Sequence, residues 1–192
     1  MLLVLENGGG WQPLARIVGR VLLAAVCAAR VGAAGKPPGE YELKAAFLYT
    51  FAQFTEWPAE AFPSPSAPLI IGIVGDDPFG RILDDAIQQE PIHGHPTAIR
   101  RLQRGESLTS CHVVFVSSSE RRQLPQILAE IKGAHILSIS EIDRFGYFGG
   151  IITLTTEGPR VRFEINLNAA EQARLKISSK LLKLAKVTGS NQ

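Results

Sequence analysis

Asp76 and Asp77 stand side by side in the run Gly75-Asp76-Asp77-Pro78-Phe79-Gly80, directly after the apolar stretch Leu69 to Val74. The carboxyl end of a buried strand is where open α/β sheets hold ligands. The run lacks the three-glycine spacing and the Gly-Lys-Ser/Thr ending that cradle phosphate, and paired acids repel an anion. Two readings stay open. Asp77 caps a following helix with Pro78 in its first position, or the two acids line a crevice for a small ligand or a cation.

The other reactive side chains give less. His93-Gly94-His95 presents two imidazoles with no Cys or acidic residue spaced to complete a set of three or four ligands, so no metal is expected. His112 and His135 open apolar runs and belong at strand ends. There is no Gly-x-Ser-x-Gly elbow and no Ser-x-x-Lys, and Ser117-Ser118-Ser119 follow a strand as helix caps do. Neither catalysis nor a cofactor is expected. Cys111 begins the apolar run to Val116, where a small buried hydrophobe is the simplest role.

These groups must be positioned by a regular framework. Apolar residues at 43, 47, 51 and 54, with a second row at 45, 48 and 52, predict an amphipathic helix over 40–57 that Pro58 stops. The aromatics Phe47, Phe51, Phe54 and Trp57 exceed what one helix face needs, and Tyr147-Phe148 add two more, so most are expected in the core and the remainder in an exposed apolar patch for a protein partner. A proline-rich stretch, 62–68, leads to a strand over 69–75, whose continuous branched apolar pattern suits burial on both faces. A short helix through Leu83, Ala86 and Ile87 follows. Further strands are expected at 97–102, more polar and nearer an edge, at 111–116 and at 136–139, with a helix running to about Lys132 between the last two. Strands and helices in short alternation predict a mostly parallel sheet covered on both faces.

The final third differs. Residues 151–156 and 160–167 flank Glu157-Gly158-Pro159, a hairpin signal, so an antiparallel pair joins the sheet. Helices are expected at 169–175 and 178–187. On the second, Lys176, Lys180, Lys183 and Lys186 fall on one side and Ile177, Leu181, Leu184 and Val187 on another, an amphipathic helix with a basic face. The fold class is α/β: a three-layer sandwich of a mostly parallel sheet, helices on both faces and a C-terminal antiparallel hairpin.

The first segment is of another kind. Arg16 and Arg20 precede the uncharged run Val21 to Ala29, too short to span a membrane and followed by small residues, as in a secretory signal. Residues 1–33 read as a signal peptide cut near Ala33 or Ala34, 34–39 as a linker, 40–188 as one domain and 189–192 as a tail. Val26 before Cys27 argues against lipid attachment. Cleavage takes Arg16, Arg20, Arg30 and Glu6 from totals of 20 cations and 18 anions and leaves equal numbers. A neutral body lacks the electrostatic footprint for nucleic acid. It also keeps only Cys111, so no disulfide can close within it.

The stretches Glu40-Tyr41-Glu42-Leu43-Lys44-Ala45-Ala46-Phe47-Leu48-Tyr49, Glu56-Trp57-Pro58 and Gly75 to Gly80, with Arg160 to Leu167 and Leu175 to Leu182, resemble the YfiR family of periplasmic regulators in order and combination. The resemblance spans about residues 40–186. It implies a dimeric α/β sandwich that binds and represses the periplasmic part of an inner-membrane signalling enzyme. A diguanylate cyclase is the foremost such target, and a sensor kinase another. Members carry disulfides, and Cys111 fits a family cysteine. Gly72 stands where the partner would be, and the loop 146–153 has no cysteine pair, so the redox property does not carry over.

On this reading the protein works by surface contact near the membrane without spanning it. Glu164, Asn166 and Lys176 around the closing hairpin, with Tyr147 and Phe148 as aromatic anchors, are the expected contact residues. The competing role for Glu164 and Asn166 is to tie the hairpin to the helix after it. A different class, a periplasmic small-ligand carrier using the Asp76–Asp77 crevice, is weakened by the lack of a second lobe to close over a solute.

Overall fold

The computed structural model describes residues 39–87, 91–103, 105–158 and 160–189. The signal peptide 1–33, its cleavage point, the linker up to residue 38 and the tail after residue 189 lie outside the described residues.

Helix α1 is Glu40–Gln53. Gly39 N–H is accepted by the Glu42 carboxylate at 3.0 Å, and two acids in the first turn complement the helix dipole. It ends four residues before the expected boundary. Proline at 58 favours extended backbone before it, and Thr55–Glu56 form a short strand, β1, instead. β1 pairs antiparallel with β8, Lys176–Ile177, in a small separate sheet.

The main sheet has seven strands: β2 (Leu69–Val74), β3 (Thr97–Leu102), β4 (Val113–Val116), β5 (Leu137–Ser140), β6 (Ile152–Glu157), β7 (Arg160–Asn166) and β9 (Lys186–Thr188). Their order is β3-β2-β4-β5-β6-β7-β9. All neighbours up to β6 are parallel, the hairpin β6–β7 is antiparallel, and β9 runs parallel to β7. The polar strand over 97–102 is at an edge, as its composition implied.

Alternation along the strands divides the interior in two. Ile71, Ile73, Val113, Phe115, Leu137, Ile139, Leu154 and Phe163 share a core with α1, with α2 (Arg81–Ile87) and with α4 (Leu167–Gln172). Phe51 meets Phe163 edge-on at 4.9 Å, and Phe47 packs against both. Leu102, Val114 and Val116 turn to the other side, where they meet Leu124, Ile127 and Ile131 from α3 (Leu124–Glu130) and its end. Each large side chain withdrawn from water in these cores contributes about 1.5–3 kcal/mol. The molecule is thus the three-layer α/β sandwich the sequence called for. Phe47, Phe54 and Trp57 pack against the first core, whereas Tyr147 and Phe148 stay exposed.

The C-terminal reading needs the largest correction. The expected helix over 178–187 is cut to one turn, α5 (Ser179–Leu182), capped by the Ser178 hydroxyl. Lys186, Val187 and Thr188 leave it as β9, because the outer edge of β7 offers unpaired backbone groups that β-branched residues fit well. The lysine row is consequently dispersed: Lys176 lies in β8, Lys180 in α5 and Lys186 in β9. Among the described residues no helix is long and apolar enough to cross a membrane.

Candidate functional site

Register fixes which hairpin residues share a face. Thr153 pairs with Glu164 and Thr155 with Arg162 across β6 and β7, while Glu164 and Asn166 pair with Lys186 and Thr188 across β7 and β9. These residues point away from the α1 core, on the side that α3 covers only farther along the sheet, at β4. The hairpin end of that face is therefore polar and open to water, and its charges are matched: Arg162 with Glu157 at 3.3 Å, and Lys186 with Glu164. The Glu164 carboxylate raises the Lys186 ammonium above the ordinary lysine range, with a smaller pull from Glu157.

A loop, residues 143–150, borders this face. Phe145 is buried, and Gly150 lies so close to its ring that a Cβ there would stand 2.1 Å from a ring carbon. Gly149 adopts φ 103°, a conformation open to glycine and strained for other residues. The Gly146 N–H donates to Thr153 Oγ1 at 3.0 Å, and Asn166 Nδ2 donates to the Gly146 carbonyl at 2.8 Å. The segment so anchored lifts Tyr147 and Phe148 into solvent, 75% and 52% exposed. Their rings meet edge-on at 5.6 Å, and the Arg144 guanidinium lies 4.4 Å from the Tyr147 ring centre.

Four of the expected contact residues thus come together: Tyr147, Phe148, Glu164 and Asn166. Asn166 also has the tying role, since its Oδ1 accepts from Ala169 N–H at 3.1 Å and caps α4. Lys176 lies apart, exposed on the two-stranded sheet beside Glu56.

The Asp76–Asp77 turn is built differently from a helix cap. Asp77 Oδ1 accepts from Phe79 N–H at 2.8 Å, and α2 starts only at Arg81. Asp77 Oδ2 takes the Arg101 Nε–H at 2.7 Å, and the same guanidinium reaches Asp84 and the Gly80 carbonyl. The Arg101 contact also lowers the Asp84 carboxyl below its usual range. Asp77 is spent inside the fold. Asp76 borders an open cavity of about 570 Å³ whose walls include Gln103, Glu106, Glu120 and Gln123. Among the described residues, no group of three His, Cys, Asp or Glu is arranged to hold a metal. Cys111 is free and buried, as expected of a small apolar residue, and burial pushes its thiol up.

One cluster escaped the sequence reading. Lys44, only 3% exposed, donates to Glu141 just past β5 and to Glu40 one turn back. Tyr41 and Ser118 hydroxyls also approach Glu141, at 3.5 and 3.3 Å. Burial works to lower the Lys44 ammonium, but the two carboxylates outweigh it and hold it above the ordinary lysine range. The available signal was Lys44 itself, a cation in the row of Leu48 and Phe51 on the packed side of α1.

Fold and surface together define a class: an α/β sandwich with an exposed aromatic loop beside an open polar half-face. Residues 41–186 match the family model described as YfiR/HmsC-like, and the chain belongs to that family.

Proposed function

We propose that this chain is an exported regulator, with residues 1–33 removed near Ala33 or Ala34 and the body 40–188 acting as one periplasmic domain. It binds and represses the periplasmic part of an inner-membrane signalling enzyme, foremost a diguanylate cyclase, and so holds down cyclic di-GMP synthesis and biofilm formation. Family membership supports the class of target. The observation that carries the contact site is the exposed Tyr147–Phe148 pair on an anchored loop beside the charged, helix-free face. Aromatic anchors fixed in advance lose little entropy on binding and are the usual centres of protein interfaces. Glu164 and Lys186 supply the polar rim, and Lys176 is a second contact outside it. Repression follows if this surface fits the inactive state of the enzyme better than the active one, because a binder shifts an equilibrium only by that difference.

The test places a photo-crosslinking amino acid at Tyr147 and measures cyclic di-GMP with the gene present and deleted. The expected result is a crosslink to an inner-membrane protein with a signalling output domain, and a rise in cyclic di-GMP on deletion. Unchanged cyclic di-GMP overturns the cyclase target. A crosslink to a second copy of this chain alone overturns the contact site.

A further inference from the structure

Residues 58–68, with prolines at 58, 63, 65 and 68, cross the amino end of the sheet as a strap between β1 and β2. Phe62 fastens it. Its ring is stacked between two imidazoles, His95 at 3.8 Å and 6° on one side and His112 at 4.3 Å and 15° on the other. Both histidines also hold strap carbonyls. His95 Nδ1 is 2.7 Å from the Ala67 oxygen, and His112 Nε2 is 3.1 Å from the Ala61 oxygen.

The buried His112 has no freedom in its proton. Ile70 N–H donates to Nδ1 at 3.1 Å, so Nδ1 must carry a lone pair and the proton sits on Nε2, facing Ala61. A second proton has only Nδ1 to occupy, where it would oppose the Ile70 N–H and replace a hydrogen bond with two confronted donors. The charge would also be buried without a counter-ion. Glu60 is the one carboxylate of the strap, and Arg174 takes it at 2.8 Å. The other titratable or charged groups around the ring are Cys111, His135 and His95, with Arg100 held by Ser110 beyond the cysteine. None is an anion at acid pH. A cation against the Phe62 face gains some attraction, but it cannot restore the bond to Ile70.

We propose that residues 58–68 form a latch that a single proton on His112 releases, freeing the strap from the wall of the cavity of about 420 Å³ that it lines. Burial already holds the His112 imidazole below the ordinary histidine range, against the pull of the Ala61 bond and with help from His95. The closed state is therefore complete above the ordinary value of 6.5 and loses ground as pH falls below it, by at most tenfold per pH unit for one proton.

The experiment follows amide hydrogen exchange of residues 58–70 by mass spectrometry in the full chain. Each rate is divided by that of the urea-unfolded chain at the same pH, while far-UV circular dichroism follows the sheet. The expected ratio rises at least about tenfold from pH 7.5 to 4.5 with the dichroism unchanged. His112→Asn, which keeps an acceptor for Ile70 and takes no proton, flattens the rise. Phe62→Ala brings the ratio at pH 7.5 up to the wild-type acid value, and it decides the matter if His112→Asn does not fold. A flat wild-type ratio, a rise that coincides with loss of the sheet signal, a rise kept in His112→Asn, or full protection in Phe62→Ala would each overturn the latch.

Discussion

Gly72 faces Cys111: a Cβ built on the glycine would stand 3.6 Å from the cysteine Cβ and 2.8 Å from its sulfur. The Cβ–Cβ separation lies within the range a disulfide spans, and the Cys111 sulfur need turn only slightly to bond. Gly72→Cys is therefore expected to close a bridge to Cys111 on oxidation, after Leu102 turns a methyl group that would sit 2.9 Å away. Closing a loop of this length contributes about 3–4 kcal/mol, less any strain. Thiol titration should find both sulfurs lost, and Tm should rise by roughly 5–10 °C and fall back on reduction.

Tyr147→Ala and Phe148→Ala remove exposed rings that no core needs. Tm should stay within about 2 °C of the parent. Binding to the membrane partner, followed by interferometry with solubilised inner-membrane protein, should weaken about tenfold or more in each case. Lys176→Ala, on the separate sheet, should change affinity several-fold less. An equal loss there would move the interface off the hairpin face.

Asn166→Ala removes a helix cap and the bond that ties Gly146 to β7. A stability loss of about 1–2 kcal/mol is expected from the cap and that bond. Hydrogen exchange should show lost protection confined to the loop 143–150 and the first turn of α4. Protection lost evenly across the sheet would refute the local tie.

Lys44→Met leaves the largely buried Glu141 carboxylate with no cation and only the Tyr41 and Ser118 hydroxyls beside it, and should cost about 2–4 kcal/mol in urea unfolding at pH 7. The pH dependence has a definite sign. Lys44 is held above its ordinary 10.5, so its contribution is whole below that value and fades as pH climbs through the raised one. Glu40 is held below its ordinary 4.5 by Lys44 first and Thr156 next, so its contribution is whole above 4.5 and fades as pH drops through the lowered value. The gap between parent and variant should be widest from about pH 5 to 10 and narrow at both ends.

Most of the strands could be read from the chain because buried parallel strands write themselves as runs such as Leu69 to Val74, and Glu157-Gly158-Pro159 marks its hairpin. The last strand could not. Lys176 to Val187 satisfies helical spacing, and only the vacant edge of β7, a feature of the assembled sheet, draws Lys186 to Thr188 into extended form. The same holds for the site. Tyr147 and Phe148 stand out by composition alone, yet that Thr153, Glu164 and Asn166 share their face follows from register. Lys44 meets Glu141, and Phe62 meets His95 and His112, across sequence gaps that no local pattern spans.

Both rims of the seven-stranded sheet carry ion pairs, Arg101 with Asp77 and Asp84 along β3, and Arg162 with Glu157 and Lys186 with Glu164 where β7 and β9 end it. A foreign strand that added to either rim would have to strip water from those charged groups, so the sheet resists being lengthened strand by strand into fibres.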